Sequence, residues 1–223
     1  MKASILTAVL FITFFAKGQS PEADQMLGSY GINSQTLSYF FSDATSNFDY
    51  NFESNDLQNN EVTSFSYDHK KGIGERWKLK SINGNSPSKK ELKAFDKIYN
   101  ADKEFKGAQI DEASFQVLQG DQHYDIVSFN FNENTLPSAY VYLEKCTGKI
   151  YLNKRTQRFE KIHFENNENL KVNGVNAEEL TYILIFQLNQ NTKNYEVYQS
   201  NLEILAKGSA NKTSISTKIQ QLN

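Results

Sequence analysis

His69, His123 and His163 are the only imidazoles in the 223 residues and bound any acid-base or metal chemistry the chain could perform. No two of them share the close spacing on one element that marks a zinc site. Each is expected in a strand beside charged or polar neighbours, the ordinary setting of a surface histidine. Asp68-His69 would belong to a catalytic triad only beside a nucleophile elbow, and the chain has no such motif. Gly72-Ile73-Gly74 precedes a strand instead of a helix, so it reads as a hairpin turn and not as a phosphate loop. Asp111-Glu112 and Glu178-Glu179 are adjacent carboxylates in polar surroundings, whereas an acid/base pair needs burial to separate its pKa values. The lone cysteine, Cys146, excludes an internal disulfide. It reads as a hairpin residue beside Thr147-Gly148, without the histidine or basic cluster that activates a thiol. These residues give no support for an enzyme, a metal site or a bound cofactor.

A stronger signal lies in alternating apolar residues. Trp77 and Leu79, then Val127, Phe129 and Phe131, then Val141 and Leu143, then Ile150 and Leu152 recur with the period of two of half-buried strands. Together they could line one concave face. That face is either ordinary filled core or the wall of a pocket for an acyl chain or another apolar ligand, to which the same side chains would contribute.

The elements that would position them are organised around Glu75 to Tyr99. A strand carrying Trp77 and Leu79 ends at Asn83-Gly84, both residues tolerant of the positive φ of a sharp turn. Pro87 suits a first helical turn, and Ser88 with Glu91 has capping-box spacing. Leu92, Phe95, Ile98 and Tyr99 then repeat at helical intervals. Upstream, residues 19–31 are polar and expected to be loosely attached. Asn33 or Ser34 could cap a helix whose stripe is Leu37, Phe40, Phe41, Ala44 and Phe48. Tyr50 and Phe52, then Thr63, Phe65 and Tyr67, alternate as the first strands of a meander that continues into the Trp77 strand.

Downstream the reading is mostly β: Val127 to Phe131, Ala139 to Leu143, a Thr147-Gly148 turn into Ile150 and Leu152, Arg158 to Phe164, Leu180 to Leu188, Tyr195 to Ala206 and Thr213 to Ile219. Thr181 to Phe186 is apolar on both faces, and its β-branched and aromatic content favours a central strand over a buried helix. About ten strands and two helices imply a mainly β, α+β domain: a curled antiparallel sheet or incomplete β-barrel covering an N-terminal helix and a second helix.

Lys2, the apolar run from Ala3 to Ala16, and Ala16-Lys17-Gly18 read as a signal peptide over residues 1–18, too short to span a bilayer. Residues 19–223 would form a single β-rich domain. Without Lys2 and Lys17 the chain holds 22 basic and 26 acidic residues, a formal charge of −4. Such a charge attracts neither nucleic acid nor anionic lipid.

The strand-turn-helix pattern W-x-L-x-S-x-N-G-x-x-P (Trp77, Leu79, Ser81, Asn83, Gly84, Pro87), with the amphipathic helix before it and the strands on either side, resembles periplasmic proteins of the lipoprotein-carrier type. The resemblance covers the chain from about Ser34 onward. It implies an incomplete antiparallel barrel wrapped over helices, export to the periplasm or cell exterior, and a hydrophobic cavity sheltering a lipid or lipoprotein acyl chain. No individual residue role carries over. The other reading of the same residues is an envelope interaction module with a filled core, binding a protein partner through a sheet edge or aromatic patch.

Overall fold

The computed structural model describes residues 20–42, 49–102, 104, 107–172, 174–190 and 192–222. The expected signal segment, Ala44 and Phe48 lie outside them. Two short helices, α1 (Pro21–Ser29) and α2 (Ser34–Tyr39), precede β1 (Asp49–Asp56), β2 (Glu61–Tyr67) and β3 (Trp77–Ile82). Then come α3 (Lys89–Tyr99), β4 (Ile110–Leu118), β5 (Tyr124–Phe131) and a 3₁₀ turn at Val141–Lys145. The remaining strands are β6 (Cys146–Asn153), β7 (Arg158–Asn166), β8 (Leu170–Val172), β9 (Val175–Leu188), β10 (Tyr195–Ala206) and β11 (Lys212–Leu222). No helix among the described residues is long and apolar enough to cross a membrane.

The strands form one antiparallel sheet in the order β3-β2-β1-β11-β10-β9-β7-β6-β5-β4, with β8 paired to β9. β3 and β4, consecutive in the chain, stand at opposite ends of this order and do not pair, so the sheet curls without closing and those two strands are the ends of its path. The chain crosses from one edge to the other through α3. Asn100 caps that helix and accepts from the Trp77 backbone N–H at 3.2 Å while its amide donates to the Trp77 carbonyl at 2.9 Å. Ser138, beyond β5, donates its hydroxyl to the Ile98 carbonyl at 3.1 Å. Its backbone N–H and hydroxyl both reach Asp102 Oδ2 at 2.8 Å. Thus Ile98 to Asp102 clasps the two sides of the opening.

Local chemistry explains the strand-turn-helix unit as expected. Asn83 and Gly84 take φ of 51° and 75°, and the Asn83 backbone and side chain both bond Val62 of β2, at 2.7 and 2.8 Å. The Ser88–Glu91 capping box is complete, with Glu91 held below the usual carboxylate range by its bonds to Ser88.

Elsewhere the structure corrects the sequence reading. Residues 21–29 are helical and anchored by the buried Ala23 and Leu27, because Ser20 caps the helix and Pro21 starts it. α2 ends at Tyr39, and a turn at Phe40 and Phe41 takes the place of a longer helix. Val141 and Leu143 belong to no strand: bonds from Tyr140 to Pro137 and from Leu143 to Tyr140 wind that stretch with i→i+3 spacing, in which alternating residues fall on different sides. Val141 is accordingly 47% exposed and Leu143 fully buried. Thr147-Gly148 lies inside β6 and makes no turn; the β6–β7 connection comes later, where Gln157 takes a φ of 53°. β4, unanticipated, is broken by a register shift between Asp111 and Gln116 that erases its alternation.

Gly148 is required by packing. A Cβ there would meet the Phe129 ring at 2.5 Å and the Phe164 ring at 2.8 Å, and both rings are fully buried. Gly148→Ala is therefore expected to lower stability in urea unfolding by about 1–3 kcal/mol; an unchanged midpoint would refute this close packing. Two residues away, burial lifts the Cys146 thiol from 9.0 to about 12. Because the folded value is raised, its contribution to stability is complete below about pH 9 and is lost as pH climbs through about 12. At pH 8 a thiol reagent should label Cys146 only as fast as the protein unfolds, and rapid stoichiometric labelling of the native protein would contradict its burial.

Candidate functional site

The concave face carries two apolar clusters that do not merge. The larger is built on β4 to β10 with α1, α2 and the 3₁₀ turn, and includes Val127, Phe129, Phe131, Leu143, Ile150 and Leu152. The smaller is Phe65, Leu79 and Phe95, where α3 lies on β2 and β3, flanked by Phe52, Trp77, Ile82 and Tyr99. Between them lies a cavity of about 840 Å³, inside the roughly 300–1,000 Å³ range of small-molecule sites.

Each wall follows from a strand or helix period. Tyr50 and Phe52 of β1, Tyr67 of β2 and Trp77 of β3 bring inward-facing rings to one side. Phe52 stacks on Phe65 at 4.9 Å, Tyr67 meets Trp77 edge-on at 5.0 Å, and Trp77 lies 5.3 Å from Tyr99 of α3. Tyr182, Leu184 and Leu188 of β9 and Tyr195 and Val197 of β10 line the opposite side. The roof is α2, where Asn33 Oδ1 accepts from the Thr36 N–H at 2.8 Å at the start of the helix and Phe40 packs on Phe186 at 4.6 Å at its end. The clasp contributes Tyr99, Asp102, Ala139 and Tyr140.

Eight tyrosines, three phenylalanines and Trp77 line the cavity against four branched aliphatics, Leu184, Leu188, Val197 and Ile219. The wall is thus apolar in its body and hydroxylated at its tips, which suits an amphipathic guest. Burial, followed by Tyr50, Tyr67 and Glu196 as neighbours, raises the Tyr39 phenol above its ordinary pKa. Burial does the same for Tyr99 and, more strongly, for Tyr182. These phenols stay neutral at physiological pH and present hydrogen-bond donors. No histidine or cysteine is among the lining residues.

The histidines lie elsewhere. His69 and His123 stand in turns, contrary to the expectation that all three occupy strands, and His163 is in β7. His69 pairs with Asp49 and not with its neighbour Asp68: Asp49 Oδ1 takes the His69 backbone N–H at 3.0 Å and Nδ1 at 2.8 Å, which lowers the Asp49 pKa. Asp49, Asp68 and His69 could together offer three atoms to a metal ion. Asp68 Oδ1, however, already accepts from the Lys70 N–H at 2.9 Å, the geometry of a turn. Burial lowers the His163 pKa, and its Nε2 has no hydrogen-bond partner. Glu112 accepts from Ser34 Oγ at 2.5 Å, and Glu179 pairs with Lys212 at 2.9 Å, so neither carboxylate pair forms an acid/base couple.

Of the nine side chains that alternation placed on the concave face, Trp77 alone lines the cavity. Leu79 belongs to the smaller cluster, while Val127, Phe129, Phe131, Leu143, Ile150 and Leu152 are packed within the larger one. Val141 points away on the 3₁₀ turn. Sequence reasoning found Tyr50, Phe52, Tyr67 and Tyr99 by their spacing and covered Tyr182 and Tyr195 only within strand ranges, and it gave none of them a role. Their shared feature is a ring on the wall of the cavity.

No family model matches the chain, and no curated protein matches it in sequence. In overall structure it is similar to the crystal structure of a LolA superfamily protein from Nitrosomonas europaea, with a TM-score of 0.40 and 9% identity, over 90% of this chain and 93% of that one.

Proposed function

We propose that the protein is a non-catalytic carrier that binds the acyl chain of a lipid or lipoprotein in the cavity between its two apolar clusters, in the periplasm or at the cell exterior. The observation that carries this reading is the interruption of the core. A sheet of this apolar content normally fills its concave face, and here Trp77, Tyr99 and Phe52 on one side stop short of Phe40, Tyr195 and Val197 on the other. An acyl chain would complete the burial of both cluster margins. At about 25 cal/mol per Å² of apolar surface removed from water, that gains several kcal/mol. The clasp at Asn100 and Ser138 places α3 along one wall, so the guest would be held by the sheet and by the segment that bridges its free edges.

Trp77 is the only tryptophan and lines the cavity, so its emission reports occupancy directly. A brominated acyl probe with an uncharged head is expected to quench most of that emission at saturation. Val197→Phe, which narrows the cavity, should weaken the quenching. Ile150→Val, in the filled part of the core, should leave it unchanged while costing about 0.5–1.5 kcal/mol of stability. Absence of quenching at every chain length from octyl to hexadecyl would overturn the proposal.

A further inference from the structure

A smaller polar pocket of about 270 Å³ adjoins the aromatic cavity, and the two share Tyr50, Glu196, Val197 and Ile219 as lining residues. The remaining lining of this second pocket is Gln187, Asn189, Gln220 and Gln221, carboxamides from β9, the β9–β10 turn and β11. An apolar chamber joined to a polar one is the shape of a site for an amphiphile, and the group at the junction is a carboxylate.

Glu196 accepts from Asn189 Nδ2 at 2.7 Å. With its amide nitrogen turned towards Glu196, Gln221 donates to the two carboxylate oxygens at 2.8 and 3.1 Å. These donors are neutral: they fix the carboxylate without cancelling its charge, and it forms no ion pair among the described residues. Among the described lining residues of the larger cavity, two are carboxylates, Glu196 and Asp102, and one is a lysine, Lys193, which is exposed on the β9–β10 turn. Arg76, behind Tyr67, donates to the Tyr67 hydroxyl at 3.3 Å and to the Lys71 carbonyl at 3.1 Å and is absent from the lining. The Glu196 charge acts on the Tyr39 phenol, and Tyr50 lines both pockets together with Glu196. A carboxylate beside phenol rings is the chemistry that recognises an ammonium group, through charge attraction and the negative ring faces. A phosphate or carboxylate head would instead meet Glu196 with no buried cation among the described lining residues to receive it.

We infer that the site selects an amphiphile with an ammonium head, primary or quaternary, seated at Glu196 while its chain lies among the rings. This inference rests on the carrier reading and assigns polarity and headgroup class to the same cavity.

Single-chain dodecyl probes that differ only in their heads test it, read by Trp77 emission and by displacement of the brominated probe. Dodecyltrimethylammonium and dodecylamine are expected to bind about tenfold or more tightly than dodecanoate and dodecyl sulfate, a difference of about 1.4 kcal/mol. Added salt should narrow the gap. In Glu196→Gln, which keeps the size of the side chain, the advantage of the ammonium heads over dodecanoate and dodecyl sulfate should disappear. Equal binding of all heads, tighter binding of the anions, or an ammonium preference that survives Glu196→Gln would each overturn the inference and leave the carrier reading standing. Binding of no probe at all would overturn both.

Discussion

Asn100 and Ser138 hold together a sheet whose two edge strands never pair. β3 and β4 are consecutive in the chain yet lie at opposite ends of the strand order, so the segment between them must cross the mouth of the curl. It does so with α3, and the hydrogen bonds of Asn100 to Trp77 and of Ser138 to Ile98 and Asp102 tie the C-terminal end of that helix to both sides of the opening. An antiparallel sheet that curls without closing has one long apolar concave face, and something must cover it. α1, α2 and the 3₁₀ turn cover the β4–β10 side, whereas α3 covers β2 and β3 with one buried residue, Phe95. Two separately covered regions leave a space between them, and the cavity is that space.

The choice of side chains around it matches the position. A filled core is built from Val, Ile, Leu and Phe, as at Val127, Ile150, Leu152 and Phe129, all fully buried. At the cavity the chain uses tyrosine, whose ring packs against apolar neighbours and whose hydroxyl takes a hydrogen-bond partner, as at Tyr30, Tyr67 and Tyr195. Burial keeps several of these phenols un-ionised, so the wall carries little charge apart from Asp102, Glu196 and Lys193.

Much of the scaffold was readable from local chemistry. Asn83-Gly84, the Ser88–Glu91 box and the ring spacing of Phe95, Ile98 and Tyr99 specify β3 and α3 because each depends on near neighbours alone. β10 was bounded by its own alternation and by the turns around it. The failures share a physical cause. Pro137 turned an apparently alternating segment into a 3₁₀ turn, a bulge hid β4, and Gly148 resembled a turn residue when its missing Cβ was needed by Phe129 and Phe164. Those outcomes are set by tertiary neighbours that no local pattern contains. The site was legible only at Trp77. Alternation tells which face of a strand is apolar, but not whether the opposing element reaches it; that depends on how far apart α2 and α3 come to rest.

The pairing of β1 with β11 has a temporal consequence. Phe52 sits opposite Ile219, so the strand that begins the sheet is hydrogen-bonded to the last strand described. Until β11 is in place, β1 to β3 and α3 have no sheet connection to the β4–β10 body, and the space between the two bodies has no continuous floor. Contacts this distant in sequence form slowly, after the local hairpins. The cavity is therefore among the last features of the molecule to form, and during its assembly the rings destined for its walls are open to whatever apolar surface they meet first.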